Sequence, residues 1–344
     1  MRENRTTHYN IFKTRLLLND GRLITIQYNN DNTDSAITEA EVSEYKPYIT
    51  DVVIGDKVTT IGSNCFSGCS QLESIEISSS VTTISSYAFC KCSKITNIVI
   101  PNSVTSIGTY AFQGCSKLVS INIPTSITKI DTVVFSGCTN LETVILPNGL
   151  KTIGSSGFSY CYKLSNAVLP NGLTTIGSKV FFRCSSISYT TVPNSVTSIG
   201  RETFSNCSGI NEFIVPPLLK TIETELFMYT SIVHIDVPDT VTTLKFYAFS
   251  FMHKLVDATI GVGVSNIPDS TFKNCENLTT VIIKNSSCTL ANTNAFNGTK
   301  MVGSGVGKIY VPYGYGEDFK ARDKWSTYAS HIYELNEDGS IPTE

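Results

Sequence analysis

The residues of this 344-residue chain whose type could support chemistry are first of all its eleven cysteines. A structural zinc site needs clustered thiols, typically two Cys-x₂-Cys pairs. Most cysteines here instead recur at intervals of 23 residues, so a repeating structure would align them in one column. Neighbours in such a column lie about 4.8 Å apart, near the range of a disulfide. Because free cysteine is among the most buried residue types, we interpret the column as a structural core ladder of small apolar side chains. The column is Cys69, Cys92, Cys115, Cys138, Cys161, Cys184, Cys207 and Cys275.

Few other residues suggest catalysis or metal binding. Cys65, Cys90 and Cys288 lie outside the column, and Cys65-x₃-Cys69 and Cys90-x-Cys92 are weak metal motifs. None of the four histidines lies at catalytic spacing from Ser, Cys or a carboxylate, and no glycine-rich phosphate loop follows a strand. These histidines are His8, His234, His253 and His331. We therefore expect no metal, no cofactor and no enzymatic activity. A hydrolase with its groups scattered over several repeats is the remaining catalytic alternative.

A pattern of 23 residues repeats ten times and fills residues 58–286. The ten units begin at Val58, Val81, Val104, Ile127, Leu150, Leu173, Val196, Leu219, Val241 and Val264, and only the unit at Leu219 is one residue shorter. Each unit has a phenylalanine three residues before the cysteine position: Phe66, Phe89, Phe112, Phe135, Phe158, Phe181, Phe204, Phe227, Phe249 and Phe272. Most units also contain a closing proline: Pro101, Pro124, Pro147, Pro170, Pro193, Pro216 and Pro238.

Two extended segments and one compact turn are predicted in each unit. In the third unit, Leu118-x-x-Ile121-x-Ile123 has the alternation of a strand, and Pro124 ends it because proline has no N–H to offer. Val104-x-x-Ile107-Gly108 predicts a second extended segment that ends at a turn. Ala111-Phe112-x-x-Cys115 has helical spacing, which predicts one or two helical turns. One unit is too small to fold alone, so the units must stack into an elongated solenoid.

The repeat L-x-x-I-x-I-P-x-x-V-x-x-I-G-x-x-A-F-x-x-C resembles the BspA-like, or treponemal-type, leucine-rich repeat. The pattern covers about two thirds of the chain. It lacks the asparagine ladder of the commoner leucine-rich repeat and has a cysteine column elsewhere in the coil. The resemblance implies a right-handed, curved superhelix with one parallel sheet on its concave face. It also implies roles in bacterial or protozoan surface adhesion and host-protein binding. We therefore predict a β-rich α/β repeat solenoid of about 10–11 coils.

The chain on either side of the repeats is predicted to cap the solenoid, because terminal repeats need protection. We assign residues 1–43 to an N-terminal β cap or attachment segment, 44–312 to the solenoid, and 313–344 to a C-terminal helical cap and tail. Leu16–Leu18 and Leu23–Ile26 flank the turn Asn19–Gly21, which predicts a hairpin. Residues 29–35 are expected to be flexible.

Downstream, Ala295–Phe296 and Ile309–Pro312 predict an eleventh, degenerate coil with a glycine-rich insertion at Gly303–Gly307. A helix is predicted over Glu317–Trp325. The side chains expected to cover the last coil are Phe319, Trp325 and Tyr328. This ending resembles that of BspA-like proteins from gut Bacteroidales and their phages.

Composition excludes some classes of partner. Charged residues make up 16% of the chain, below the usual quarter or so, and the formal net charge is −3. Without a clustered basic surface we expect no nucleic acid as partner. No apolar stretch approaches the roughly 18 residues that span a bilayer, so no membrane insertion is expected. No apolar segment follows the N-terminal Met1–Arg5, so no signal peptide is visible.

Residues that alternate outward along the predicted strands are candidates for binding. One outward column contains more apolar side chains than a solvent-facing column should, and such columns often mark interaction surfaces. The alternative is that β-branched residues are simply good strand formers. The predicted binding residues on the concave face are Val99, Ile145, Val168, Tyr189, Ile214, His234 and Ile282.

Two functional hypotheses follow. The resemblance favours a non-catalytic, adhesin-like protein on the cell surface or secreted, which recognises a protein or glycan. The alternative is a virion protein of a phage, structural or receptor-recognising and docked in a larger assembly. It is favoured by the ending, the intact Met1 and the missing signal peptide.

Overall fold

The first elements of the chain build one end of the sheet. The computed structural model describes residues 13–27, 35–165, 167–188, 191–303 and 305–343. The elements before the repeats are β1 (Lys13–Leu18), β2 (Leu23–Gln27), β3 (Ser35–Ile37), α1 (Glu39–Val42) and β4 (Ile49–Val53). Strands β1 and β2 form the predicted antiparallel hairpin, and β1 also pairs antiparallel with β4. The expected flexible segment lies outside the described residues except for Ser35, which begins β3.

The repeats then contribute short strands to two rows of parallel strands. In chain order these are β5 (Val58–Ile61), β6 (Ser74–Glu76), β7 (Thr83–Ile84), β8 (Asn97–Val99), β9 (Ser106–Ile107), β10 (Ser120–Asn122), β11 (Lys129–Ile130), β12 (Thr143–Ile145), β13 (Thr152–Ile153), β14 (Thr175–Ile176), β15 (Ser198–Ile199), β16 (Thr221–Ile222), β17 (His234–Val237), β18 (Thr243–Leu244), β19 (Asp257–Ile260), β20 (Asn266–Ile267), β21 (Thr280–Ile283) and β22 (Thr289–Leu290). The remaining elements are α2 (Lys300–Gly303), β23 (Lys308–Val311), α3 (Gly316–Ala321), a 3₁₀ helix (Trp325–His331) and β24 (Ile332–Glu334).

The first row contains β4, β6, β8, β10 and β12, and then β17, β19, β21, β23 and β24. The second row begins at β3 and β5 and continues through the two-residue strands to β22. Strands β6, β8, β10 and β12 each expose their first and third residues and bury the second. The predicted leucine-rich-repeat solenoid with a parallel sheet is therefore confirmed.

The repeated phenylalanines stack into one buried column, the Phe column, which runs from Phe66 to Phe296. Neighbouring rings are nearly parallel, and their centroids lie 5.4–5.5 Å apart from Phe66 to Phe158. Each ring thus packs against a ring above and a ring below, which no single coil could arrange. The column is the centre of the core.

The segment around each phenylalanine is a tight turn, and the prediction of helical turns there is wrong. In the third unit, Tyr110 and Gly114 both have left-handed backbone, with φ of 62° and 72°. The N–H of Phe112 donates to the carbonyl of Val134 in the next coil at 3.0 Å. Because this donor bonds to a neighbouring coil, it is not available for a helix within its own coil.

The first row is interrupted in the middle of the solenoid. Between Ile145, at the end of β12, and His234, at the start of β17, the described residues of three coils contribute no strand to the first row, whereas the second row continues through β13 to β16. The Phe column widens over the same stretch, with centroid spacings of 5.9, 5.8, 6.1 and 6.3 Å from Phe158 to Phe249, before it returns to 5.4 Å. Phe213 stands at the position that Ala167 and Ile235 occupy in other coils, and its ring centroid lies 5.1 Å from that of Phe204 and 4.6 Å from that of Phe227. The bulkier inward ring thus contacts both phenylalanines, whose own centroids are 6.1 Å apart.

The chain downstream of β23 folds back over the last coil. Helix α3 ends at Ala321, earlier than predicted, because Arg322 is extended and Lys324 is left-handed. The turn brings the Trp325 indole N–H to within 3.0 Å of the carbonyl of Cys288. Trp325 and Tyr328 pack against Phe296, the last ring of the Phe column. Strand β24 then pairs parallel with β23, so the first row extends past the predicted end of the solenoid.

Truncating a ring of the Phe column should destabilise the whole stack. We expect Phe112→Ala to lower the free energy of unfolding by about 3–5 kcal/mol, because it leaves a cavity between two stacked rings. Val119→Ala, at an exposed position of the same coil, should change it by less than about 0.5 kcal/mol. Urea unfolding followed by far-UV circular dichroism measures both, and equal losses would contradict the buried placement of the column.

Candidate functional site

An apolar column runs along the outer surface of the first row. It consists of Val99, Ile145, Val168 and Ile214, whose exposed fractions are 73%, 61%, 70% and 79%. Val99 and Ile145 point outward because they are the third residues of β8 and β12. Val168 and Ile214 occupy the equivalent positions in two coils whose described residues form no strand of the first row. Four large apolar side chains therefore face solvent on one side of the solenoid.

The other predicted binding residues differ in their surroundings. His234 is exposed, and its Nδ1 lies within hydrogen-bonding distance of the Asp257 carboxylate in the next coil. Ile282 is only partly exposed. Tyr189 lies outside the described residues. The structure thus brings Ile214 and His234 into adjacent coils and places Ile282 towards the C-terminal end of the row.

Grooves of this surface coincide with the apolar column. One groove of about 600 Å³ is lined by Ile214 and His234 together with the charged residues Glu212, Asp236 and Lys284. A groove of about 260 Å³ lies between Ile145 and Val168, and one of about 230 Å³ between Val99 and Ile145. The sequence prediction missed Asp236 and Lys284. The alternation of β17, which places His234 outward, also places Asp236 outward and is the signal that could have found it.

The arrangement of these side chains suits recognition more than group transfer. Within the part of the chain that the structure describes, no three His, Cys, Asp or Glu side chains come together as a metal site requires. The exposed polar groups of the largest groove are interspersed with apolar side chains, which is the composition of a contact surface. The described helices include none that is long and apolar enough to cross a membrane.

Comparison with known families identifies the repeat. The family model of the BspA type leucine rich repeat region matches residues 39–164, 82–211 and 174–303, so its matches together span 39–303. The chain belongs to the BspA-type leucine-rich-repeat family. The resemblance predicted from the repeat pattern is therefore confirmed.

Solved structures share the fold of this BspA-type chain. A leucine rich cell surface protein from Faecalibacterium prausnitzii is 23% identical, with a TM-score of 0.52, over 95% of this chain and 98% of that one. A leucine-rich repeat protein from Eubacterium ventriosum is 20% identical, with a TM-score of 0.50, over 84% of this chain and 93% of that one. No curated protein matches the sequence significantly.

The cysteines of this BspA-type chain are all free and buried. In seven coils the thiol donates to the carbonyl of a phenylalanine in the preceding coil, as Cys115 does to Phe89 at 3.2 Å. Burial raises the pKa of Cys138 and of Cys207 to about 12. A thiol that keeps its proton is neither a good nucleophile nor a metal ligand. The cysteine side chains hold neighbouring coils together by packing between them and by the contact with the phenylalanine carbonyl.

The raised pKa of the thiols predicts a loss of stability at alkaline pH. Thiols of the unfolded chain lose their protons near pH 8.5, whereas the buried ones stay protonated to about pH 12. The folded state therefore binds more protons above pH 8.5, and the free energy of unfolding falls as pH rises. At pH 9.5 each such thiol should account for roughly 1–2 kcal/mol of the loss.

The double variant Cys138→Ala/Cys207→Ala isolates this contribution. Between pH 7 and pH 9.5 its free energy of unfolding should fall by about 3 kcal/mol less than that of the wild type, as measured by urea unfolding. Comparing the change with pH, and not the stability at one pH, removes the cost of the substitutions themselves. An identical pH dependence in the two proteins would mean that these thiols ionise in the folded state.

Proposed function

We propose that this protein is a non-catalytic, adhesin-like binding module that contacts a partner protein through the apolar column and its grooves. The observation that carries the proposal is the exposure of Val99, Ile145, Val168 and Ile214 on one face. Exposed apolar side chains arranged in a row, with charged groups beside them, have the anatomy of a protein contact surface.

Strand propensity accounts poorly for this column. β-branched residues are favoured in strands, which explains Val99 in β8 and Ile145 in β12. Val168 and Ile214 are not in a strand of the first row, so strand propensity gives no reason for a β-branched residue at either position. Asn122, between Val99 and Ile145 in the same register, shows that a polar residue is accepted at this position. Contact with a partner is the better reason for the apolar choice.

The charges around the largest groove would select the partner. Glu212, Asp236 and Asp239 line it together with a single lysine, Lys284. A partner with basic side chains around an apolar centre would complement this groove, since charges at the rim give specificity. A surface or secreted location fits such a role, because the Faecalibacterium relative that shares the fold of this chain is a cell surface protein.

Charging the column tests the proposal. The double variant Val168→Asp/Ile214→Lys should lose binding to the partner by at least tenfold, because a charged group would be desolvated at the contact centre. Binding is measured by surface plasmon resonance against a panel of purified extracellular-matrix proteins. Circular dichroism should be unchanged, since both side chains are exposed in the free protein.

The matched control carries the same type of change on a different surface. Leu218→Lys and Val262→Asp replace apolar residues that are 51% and 50% exposed and do not line the grooves of the first row. This control should bind as the wild type does. A folded Val168→Asp/Ile214→Lys protein with unchanged binding, or a wild type that binds no member of the panel, would overturn the proposal.

A further inference from the structure

A second surface lies along the turns that follow the Phe column. In every coil the residue two positions after the phenylalanine has left-handed backbone, which favours glycine. Four coils indeed have glycine there, at Gly68, Gly114, Gly137 and Gly298. The seven other coils have larger residues at this position, with φ of 58–62°. They are Lys91 and, in six consecutive coils, Tyr160, Arg183, Asn206, Tyr229, Phe251 and Asn274.

Left-handed backbone is a regular feature of this fold, because a second left-handed residue precedes the phenylalanine, as Tyr110 does in the third unit. At the position after the phenylalanine the fold accepts glycine in several coils, so the turn itself does not require a larger side chain. The side chains of Tyr160, Arg183 and Tyr229 are exposed there and pack against rings on the same surface.

Three of these side chains, Arg183, Asn206 and Tyr229, line a groove of about 410 Å³, here called the edge groove. Tyr162 and Tyr229 belong to its first and last coils, and Arg183, Ser185, Asn206 and Ser208 belong to the coils between them. Three coil repeats separate the two tyrosines. The edge groove is thus a polar trough with an aromatic side chain at each end.

Arg183 gives the edge groove its charge. Its guanidinium lies 5.9 Å from the centre of the Tyr160 ring and 5.6 Å from that of Phe182. Among the described residues it makes no ion pair, whereas the neighbouring Lys179 and Arg201 both pair with Glu202. A guanidinium held by two rings and without a carboxylate partner is suited to bind a carboxylate from a ligand.

The backbone of the edge groove is already occupied by bonds between coils. Arg183 N–H donates to Ser205 at 2.9 Å, and Asn206 N–H donates to Met228 at 2.7 Å. A peptide that bound by adding a strand would find these two donors occupied. The side chains that line the groove are therefore the groups considered for recognition. Hydroxyl and amide groups between two tyrosine rings match the hydroxyls and the apolar ring faces of sugars.

We propose that the edge groove binds a linear acidic oligosaccharide, a chain of uronic acid residues, with one carboxylate on Arg183 and sugar rings against Tyr162 and Tyr229. The carboxylate would replace the missing ion-pair partner of Arg183. The serine and asparagine side chains between the tyrosines would bind sugar hydroxyls. This site is separate from the apolar column, so it goes beyond the protein contact proposed above.

Isothermal titration calorimetry with the full chain tests the proposal. The probes are α-1,4-linked tetragalacturonate and its fully methyl-esterified form, which has the same sugar rings without the charge. We expect the acid to bind and the ester to bind at least tenfold more weakly. A tetraglutamate peptide serves as the acidic non-sugar probe and should also bind at least tenfold more weakly.

Glycine variants separate binding from folding. Arg183→Gly and Tyr229→Gly should weaken tetragalacturonate binding at least tenfold without lowering the melting temperature, because glycine suits the left-handed backbone. Lys91→Gly is the matched control, since Lys91 has the same left-handed conformation, with φ of 60°, in a coil outside the edge groove. It should keep the melting temperature and full binding.

Four results would overturn the site. They are no binding of tetragalacturonate to the wild type at millimolar concentration, equal binding of the methyl ester, equal binding of the tetraglutamate peptide, and full binding by the folded Arg183→Gly variant. A loss of binding in Lys91→Gly equal to that in Arg183→Gly would show a general charge effect and would also reject the proposal.

Discussion

The hydrogen bonds between neighbouring coils around each phenylalanine are the interaction on which the rest of the structure depends. The N–H of Phe112 donates to the coil after it, and the carbonyl of Phe89 accepts the thiol of Cys115 from the next coil. Both contacts need the same backbone path in every coil. The near-constant repeat length, the stacked rings and the two parallel rows of strands follow from this requirement. The one coil of 22 residues, which begins at Leu219, keeps its bonds to the next coil around Phe227.

Most of the fold could be predicted because each coil repeats the same positions. Ten copies of Phe and of the alternating apolar residues, with Cys in eight of them, indicated the buried column and the strands without any long-range information. The turns were mispredicted because Phe112 and Cys115 are three residues apart both in a helix and in a turn closed by bonds to the next coil. Strand β24 lies outside the repeats, so the repeat pattern could not predict it. Its pairing with β23 depends on how the preceding chain folds back.

The sequence predicted which side chains of the candidate site face outward, but not the shape of the grooves between them. Alternation within β8 and β12 was enough to infer that Val99 and Ile145 face outward. The grooves depend on how neighbouring coils are spaced, which the large ring of Phe213 alters through contact with Phe204 and Phe227. Ile282 shows the same limit, since its register is that of the column but it is partly buried. The spacing between coils depends on how their side chains pack, which the repeat pattern does not show.

Departures from the ideal repeat are concentrated in one stretch of the solenoid. There the Phe column widens to 5.8–6.3 Å, the first row of strands is interrupted, and no coil has glycine at the left-handed position two residues after the phenylalanine. Each left-handed residue other than glycine costs roughly 1–2 kcal/mol, and glycine at this position would remove that cost. Because coils interact mainly with their neighbours, such costs stay local and the flanking coils can support them. A solenoid can therefore hold a strained binding region between two regular and stable segments.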